Sequence, residues 1–229
     1  MDSLCRLQYL KSEILLNMKM TGVSVGDIGD VFLQSALASA TREFEGLTNR
    51  NLIQATVTDE LYTPIHERKL YLKNYPVTTL TTVKFWDDND SYDTETSTNY
   101  TLRDQRYIWY PAKGKEASGL YTQFTVNDED SVSVTYTYGY KVLNWNSLNI
   151  WSKYDADHLT DFNVPEDMEH AVGVMAALAI QDGRWDRGTL GMTSKSTMGE
   201  SIVIDKFDLS NYPRVVIDAV ERYRDIQAF

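Results

Sequence analysis

The chain has 229 residues, 42% of them hydrophobic and 24% charged, with five Trp, fifteen Tyr and seven Phe; that length buries a substantial core, as one large domain or two small ones. A formal net charge of −11 argues against a protein whose bulk charge grips DNA phosphates or an anionic membrane, because both need a basic face, and it also serves solubility. The single cysteine, Cys5, excludes an internal disulfide and a cysteine-rich metal site, and points to folding in a reducing cytoplasm.

The opening, MDSLCRLQYLKSEILL, is interrupted by Asp2, Arg6, Lys11 and Glu13 and does not read as a secretion signal. Leu4, Leu7, Lys11, Ile14 and Met18 fall at helical spacing, with Leu10 and Leu15 beside them. Gly22 suits the end of that helix, and Ser24 with Asp27 suits an N-cap for the next. The second helix follows, with Ile28, Val31, Phe32, Ala36, Ala40, Phe44 and Leu47 as its stripe, and GLTNRN stops it.

From 52 to 140 the pattern changes to strands, expected at 53–62, 69–73, 80–86, 100–103, 106–110, 121–126 and 131–138. Pro76 separates two of them, because proline cannot donate to a ladder. The most regular is SVSVTYTYGY, 131–140: Val132, Val134, Tyr136, Tyr138 and Tyr140 alternate with Ser133, Thr135, Thr137 and Gly139. The acidic segment 86–99 reads as a polar turn or exposed loop, and the segment 111–119 as another.

A polar connector, 141–163, leads into VPEDMEHAVGVMAALAI. Pro165 suits the start of a helix, and Glu166 and Asp167 complement its positive end. Met168, Ala171, Val172, Met175, Leu178 and Ala179 share a face, and Val174, Ala177 and Ile180 are apolar too, so this helix is expected to be covered on more than one side. Its longest apolar run, 171–180, is too short to cross a bilayer. A glycine-containing flexible stretch, 186–200, a short strand at 201–207 and a last helix from Pro213 complete the chain. Val216, Val220, Tyr223 and Gln227 lie on one face of that helix.

The chemistry-bearing residues form no catalytic constellation. His66, His158 and His170 are not in a metal-binding spacing. DRGTLGMTSKS lacks the glycine before Lys195 that a phosphate loop needs, and it follows a helix rather than a strand. Asp155, Asp157 and Asp161 resemble a calcium loop, but Leu159 and Thr160 occupy the positions of a ligand and the glycine. Cys5 reads as a small packing residue. The expectation is a binding or structural protein with no enzymatic activity, no metal and no cofactor.

The order of motifs resembles the tailed-bacteriophage head–tail connector proteins, also called adaptor or head-completion proteins. It is carried by the opening helices through LTNRNL, by KLYLKNYPVTTLTTVKFW, by VTYTYGY followed by VPEDMEHAVGVMAALAIQD, and by TSKSTMGESIVIDKF with a Tyr-Arg near the C-terminus. The β region at 52–140 and the connector at 141–163 are longer than in small members. The resemblance implies an α+β fold: a helical bundle built from residues 1–51 and 141–229, with a large β-rich domain, 52–140, inserted between them. It implies a homo-oligomeric ring, twelve-fold, under the portal protein, assembled in the host cytoplasm and resident in the virion neck. Such a ring extends the DNA channel, passes genomic DNA without specific binding, offers a platform to a downstream neck or tail protein, and touches no membrane. In related connectors the C-terminal segment reaches the portal, which here points to Tyr223, Arg224, Ile226 and Phe229 as anchors. The alternatives are another neck or tail component (stopper, tail terminator or tail-tube protein) and a glycan-binding or hydrolytic virion protein using Trp86, Trp109 and Trp145.

Overall fold

The structure, a computed structural model, describes residues 2–15, 29–87, 91–95, 97–110, 124, 128–144, 162–181, 194–197, 200–203, 209 and 212–224. In chain order the elements are β1 (Asp2–Ser3), α1 (Leu7–Tyr9) continuing as a π-helical turn (Leu10–Leu15), α2 (Asp30–Thr48), β2 (Ala55–Tyr62), β3 (Lys69–Tyr71), β4 (Val77–Asp87), β5 (Ser91–Thr94), β6 (Thr101–Arg103), β7 (Tyr107–Trp109), β8 (Val132–Tyr138), β9 (Leu143–Asn144), α3 (Glu166–Gln181), β10 (Ser194–Thr197), β11 (Glu200–Val203) and α4 (Arg214–Tyr223). The class is α+β, and every named strand pair is antiparallel. The chain divides into two compact units: Met1–Arg50 with Lys141–Phe229, and Asn51–Tyr140.

In the first unit, α2 buries Leu33, Ala36, Leu37, Ala40, Thr41, Phe44, Leu47 and Thr48, a stripe at helical spacing. This corrects the expected stripe at its start, for Val31 is 73% exposed and Phe32 is exposed as well. A run spaced by four drifts by about 40° per step around a helix of about 3.6 residues per turn, so Phe32 has rotated off the face that Ala36 and Ala40 share with Leu33 and Leu37. The helix begins at Asp30 with Gly29 as its N-cap, without a side-chain cap. Asn49 ends it in the left-handed region at φ 54, its N–H donating to Glu45 O and Gly46 O. Met18, Gly22, Ser24, Asp27 and Ile28 lie outside the described residues.

The N-terminal helix starts later than its spacing suggests. Leu4 is fully buried but precedes it, its N–H donating to Thr41 Oγ1 at 3.2 Å; Leu7, Leu10, Ile14 and Leu15 supply the buried helical positions. Helix α3 buries Met168, Glu169, Ala171, Val172, Gly173, Met175, Ala176 and Ala177, so it is covered on more than one side, while Leu178 and Ala179 are half-buried. Helix α4 buries Val216, Ala219 and Val220. β10 and β11 pair as a hairpin. The glycine-containing stretch read as flexible thus carries a strand, and its SKST has no apolar alternation to mark one.

The second unit is two sheets around one core. Their orders are β2-β8-β4-β5 and β3-β7-β6. β8 is central in the larger sheet, and its alternation is realised: Val132, Val134, Tyr136 and Tyr138 are buried, Thr135 and Thr137 half-buried. Ser133 is buried too, its Oγ 3.3 Å from Asp59 Oδ1. The inward residues meet Leu70, Ile108, Phe85, Tyr110 and Phe124. Tyr110 stands edge-on to Phe85 and Phe124, with centroids 5.9 and 4.9 Å apart, the geometry that ring quadrupoles favour. Of the strand expected at 121–126 only Phe124 is described; it is fully buried, its N–H on Glu67 O at 2.8 Å.

The acidic segment after Trp86 is more than a loop. β5 pairs with the end of β4, Lys84 opposite Thr94 and Trp86 opposite Tyr92. Glu95 is buried, donates its N–H to Val83 O at 2.8 Å and accepts from Asn99 Nδ2 at 2.7 Å. Gly139 closes the unit at φ 85; a Cβ there would lie 2.6 Å from Ile53 O and 2.8 Å from Leu52 O. Only glycine fits that approach.

Candidate functional site

The connector resemblance points to Tyr223, Arg224, Ile226 and Phe229, and α4 carries the first of them. The helix starts after Pro213, whose carbonyl accepts from Val216 N at 2.9 Å. Val216, Ala219 and Val220 face inward. Near the start, Tyr212 Oη donates to Glu43 Oε1 of α2 at 2.5 Å. At the other end, Tyr223 Oη donates to Asp167 Oδ1 at 2.8 Å, Arg222 pairs with Asp167 Oδ2, and Arg50 Nη1 donates to the Tyr223 carbonyl at 2.9 Å. Asp167 also accepts Met168 N at 3.0 Å, within the first turn of α3, where a carboxylate opposes the positive helix end.

Tyr223 is thus bound within its own unit. Arg224 is different: its N–H still reaches Val220 O at 2.8 Å, but its backbone turns extended (φ −59, ψ 135) and its side chain is exposed. The chain leaves the helix at this residue. Ile226 and Phe229 lie outside the described residues.

A second constellation lies at the start of α3, and sequence reasoning missed it. Glu169 is 2% exposed. Arg6 grips it in a fork, Nε to Oε1 and Nη2 to Oε2, both at 2.8 Å, and the Arg6 backbone N–H adds a third bond to Oε1 at 3.0 Å. The Arg6 guanidinium lies over Phe162, 5.1 Å from its centroid, and 5.9 Å from that of Tyr9. Tyr9 Oη meets His170 Nδ1 at 3.2 Å. The hydrogen bond to Glu169 raises the Arg6 pKa. Beside it, burial pushes the Cys5 thiol well up, and Glu169 pushes it further; a thiol held protonated suits packing rather than attack.

In the second unit, Glu60 Oε2 accepts from Tyr62 Oη and from Tyr136 Oη (2.6 Å), and the two hydroxyls are 3.0 Å apart. Lys73 N donates to Tyr62 Oη at 3.1 Å, and Asn74 N to Tyr136 Oη at 3.3 Å. Burial, then the bond to Glu60, pushes Tyr136 up to about 12, and the same causes push Tyr62 higher. This network pins the 73–74 turn against β8.

Of the other candidates, His66 is exposed, edge-on to Tyr71 at 6.3 Å. Trp86 is exposed and Trp109 half-buried; Trp145, His158, Asp155, Asp157 and Asp161 lie outside the described residues. Among the described residues no group of three or more His, Cys, Asp or Glu could hold a metal ion, and no helix is long and apolar enough to cross a membrane.

No protein-family model matches the chain, and no curated protein matches it. Solved structures of a gene transfer agent (GTA) particle do. The neck of the empty particle, computed with C6 symmetry, matches at 18% identity and TM-score 0.47, covering 94% of this chain and 88% of that one. The virion of the native particle matches at 18% identity and TM-score 0.49, covering 97% and 90%. The neck of the native particle, computed with C12 symmetry, matches at 18% identity and TM-score 0.47, covering 87% and 83%.

Proposed function

We propose that this chain is a structural component of the neck of a phage-like particle, a head–tail connector of adaptor type that acts by assembly and not by catalysis. The chain path carries the reading. Residues before 51 and after 140 form one unit, and 51–140 form another, the arrangement that the connector-like motif order implies. The β unit also begins and ends at one place: Gln54 N donates to Tyr140 O at 2.9 Å, and Tyr140 N to Leu52 O at 2.7 Å. A segment whose ends meet is an insertion that a host unit tolerates.

In this reading copies form a ring beneath a portal, extend the DNA channel and carry the next neck or tail protein. The charge of −11 suits a conduit, because an acidic wall repels phosphate and lets DNA pass. Arg224 and the residues after it are the portal-facing segment. Native mass spectrometry of the purified chain, alone and mixed with its portal protein, tests the proposal. A ring, or a monomer that gathers as a ring on the portal, supports it; a chain that stays monomeric and ignores the portal overturns it.

A further inference from the structure

The outer face of the β3-β7-β6 sheet differs from the rest of this acidic chain. Register places Lys69, Trp109 and Thr101 in one row and Tyr71, Tyr107 and Arg103 in the other, with the Leu70 and Ile108 row buried between them. Lys69 Nζ lies 5.6 Å from the Tyr107 centroid and 5.9 Å from that of Trp109. The Tyr71 and Tyr107 rings are 5.3 Å apart. Ile65, His66 and Arg68 extend the face into an open groove of about 460 Å³. The cations of this face are Arg68, Lys69 and Arg103, beside two carboxylates, Glu67 and Asp104, in a chain of net charge −11; Lys73 Nζ is instead 3.6 Å from Glu60 Oε1, and Arg106 lies over the Tyr75 ring. Ile65 is 66% exposed and Tyr71 43%. An exposed Tyr71 beside half-buried Tyr107 and Trp109, with arginine next to them, matches the composition of interface centres.

The turn before β8 has the opposite character. Asp128, Glu129 and Asp130 are consecutive and all exposed. The turn is held in place, for Tyr92 Oη donates to Asp130 O at 2.6 Å and Asp130 N to Thr63 Oγ1 at 3.1 Å. Two copies of a chain with this net charge repel, so any contact between them must set opposite charges together locally. A contact between two different patches of one chain is heterologous, the kind that closes into rings.

We propose that neighbouring copies meet through their β units, the Lys69–Tyr71–Trp109 face of one receiving the Asp128–Glu129–Asp130 turn of the next. The inference rests on the ring reading above and names its contact. A short carboxylate turn fits this face better than a nucleic acid does, since Glu67 and Asp104 interrupt it and the whole chain repels a polyanion.

The test uses the full chain and two variants: Arg68→Glu with Arg103→Glu, and Asp128→Lys with Asp130→Lys. All four side chains are exposed, and circular dichroism checks that each variant folds. Sedimentation velocity and native mass spectrometry follow assembly at low salt, where charge contacts are least screened. Each variant alone is expected to need about ten-fold more protein to assemble. An equal mixture should recover wild-type assembly, because the reversed face of one then meets the reversed turn of the other. Unchanged assembly in the variants, or no recovery on mixing, overturns this contact while leaving the ring reading intact. A wild type that is monomeric alone and on the portal overturns the ring reading itself, and this contact with it. Binding of a fluorescent oligothymidylate that is lost with Arg68→Glu and Arg103→Glu gives the face to nucleic acid and overturns the inference.

Discussion

Arg6 and Glu169, 163 positions apart in sequence, are joined by a two-pronged ion pair and a backbone hydrogen bond. The bond ties the segment that opens the chain to the first turn of α3. Glu169 is buried while Arg6 is a third exposed, so removing Glu169 leaves a charge that water partly reaches, at a cost of about 1–3 kcal/mol. Glu169→Ala is therefore expected to lower the denaturant midpoint sharply, and Glu169→Gln, which keeps an acceptor, by less. Chemical denaturation of the variants side by side measures this; equal stability of Glu169→Ala and wild type would remove the pair from the fold's supports.

Gly139 sits at φ 85 with backbone atoms of Ile53 and Leu52 within 2.8 Å of the Cβ it lacks. Backbone cannot swing aside as a side-chain tip can. Gly139→Ala should cost about 2 kcal/mol or more, through the left-handed conformation and the clash together. Gly29, the N-cap of α2, is the contrast: a Cβ there meets nothing within 4 Å, and no side chain caps the helix. Gly29→Ser should raise stability by about 0.5 kcal/mol. Thermal melts of the two variants should move in opposite directions.

At Gly173 the neighbour is movable. A Cβ would lie 2.2 Å from Ile14 Cδ1 and 3.2 Å from Cys5 Sγ. Gly173→Ala should overpack the α3 contact with the π-helical turn and cost about 1–3 kcal/mol. Ile14→Val removes that methyl, so the double variant should recover part of the loss; a double-mutant cycle reads the coupling. Additive effects would mean that the two residues do not share the space.

These sites show what the sequence could and could not carry. The alternation of β8 and the apolar run of α3 were legible because each pattern is local and has its own period. Glu169 was not. In PEDMEH it reads as one more acid at a helix start, and only Arg6, far off in sequence, explains why it is buried. β5 was hidden for another reason: an edge strand needs only backbone bonds to its neighbour, so SYDT carried no apolar signal. In α2, spacing by four drifts off the core at the first turn, so Phe32 lies outside the face that Ala36 and Ala40 share. The connector resemblance points to Tyr223 as an anchor, and its bonds to Asp167 and Arg50 come from elements far away in the chain, which no local pattern shows.

The Glu60–Tyr62–Tyr136 network gives a pH dependence with a definite sign. Tyr136 is pushed up to about 12 and Tyr62 higher, against about 10 in the unfolded chain. The folded state keeps protons that the unfolded state releases, so this stabilisation is whole below pH 10 and is lost as pH rises through the folded values. Each tyrosine contributes a slope of up to about 1.4 kcal/mol per pH unit in that window. Tyr136→Phe starts less stable, because Glu60 and Asn74 lose a partner, but it should fall less steeply between pH 10 and 12. Urea midpoints across that range distinguish the slopes; parallel lines for the two proteins would show that Tyr136 does not titrate in the transition.

The residues proposed as C-terminal anchors differ in what holds them, and one pair of variants tests which of them meets the portal. Tyr223 is bonded on both sides within its unit, so Tyr223→Phe should cost about 1 kcal/mol of stability and leave portal binding intact. Arg224 is exposed where the chain turns extended. Deletion of 225–229 together with Arg224→Ala should leave the thermal midpoint within a degree or two of wild type, about what a surface change produces. The same variant should lose portal co-sedimentation, because aromatic and arginine anchors carry most of an interface's energy. Portal binding that survives this truncation would move the docking surface off the C-terminal segment, and a collapse in stability would show that the segment serves its own protomer.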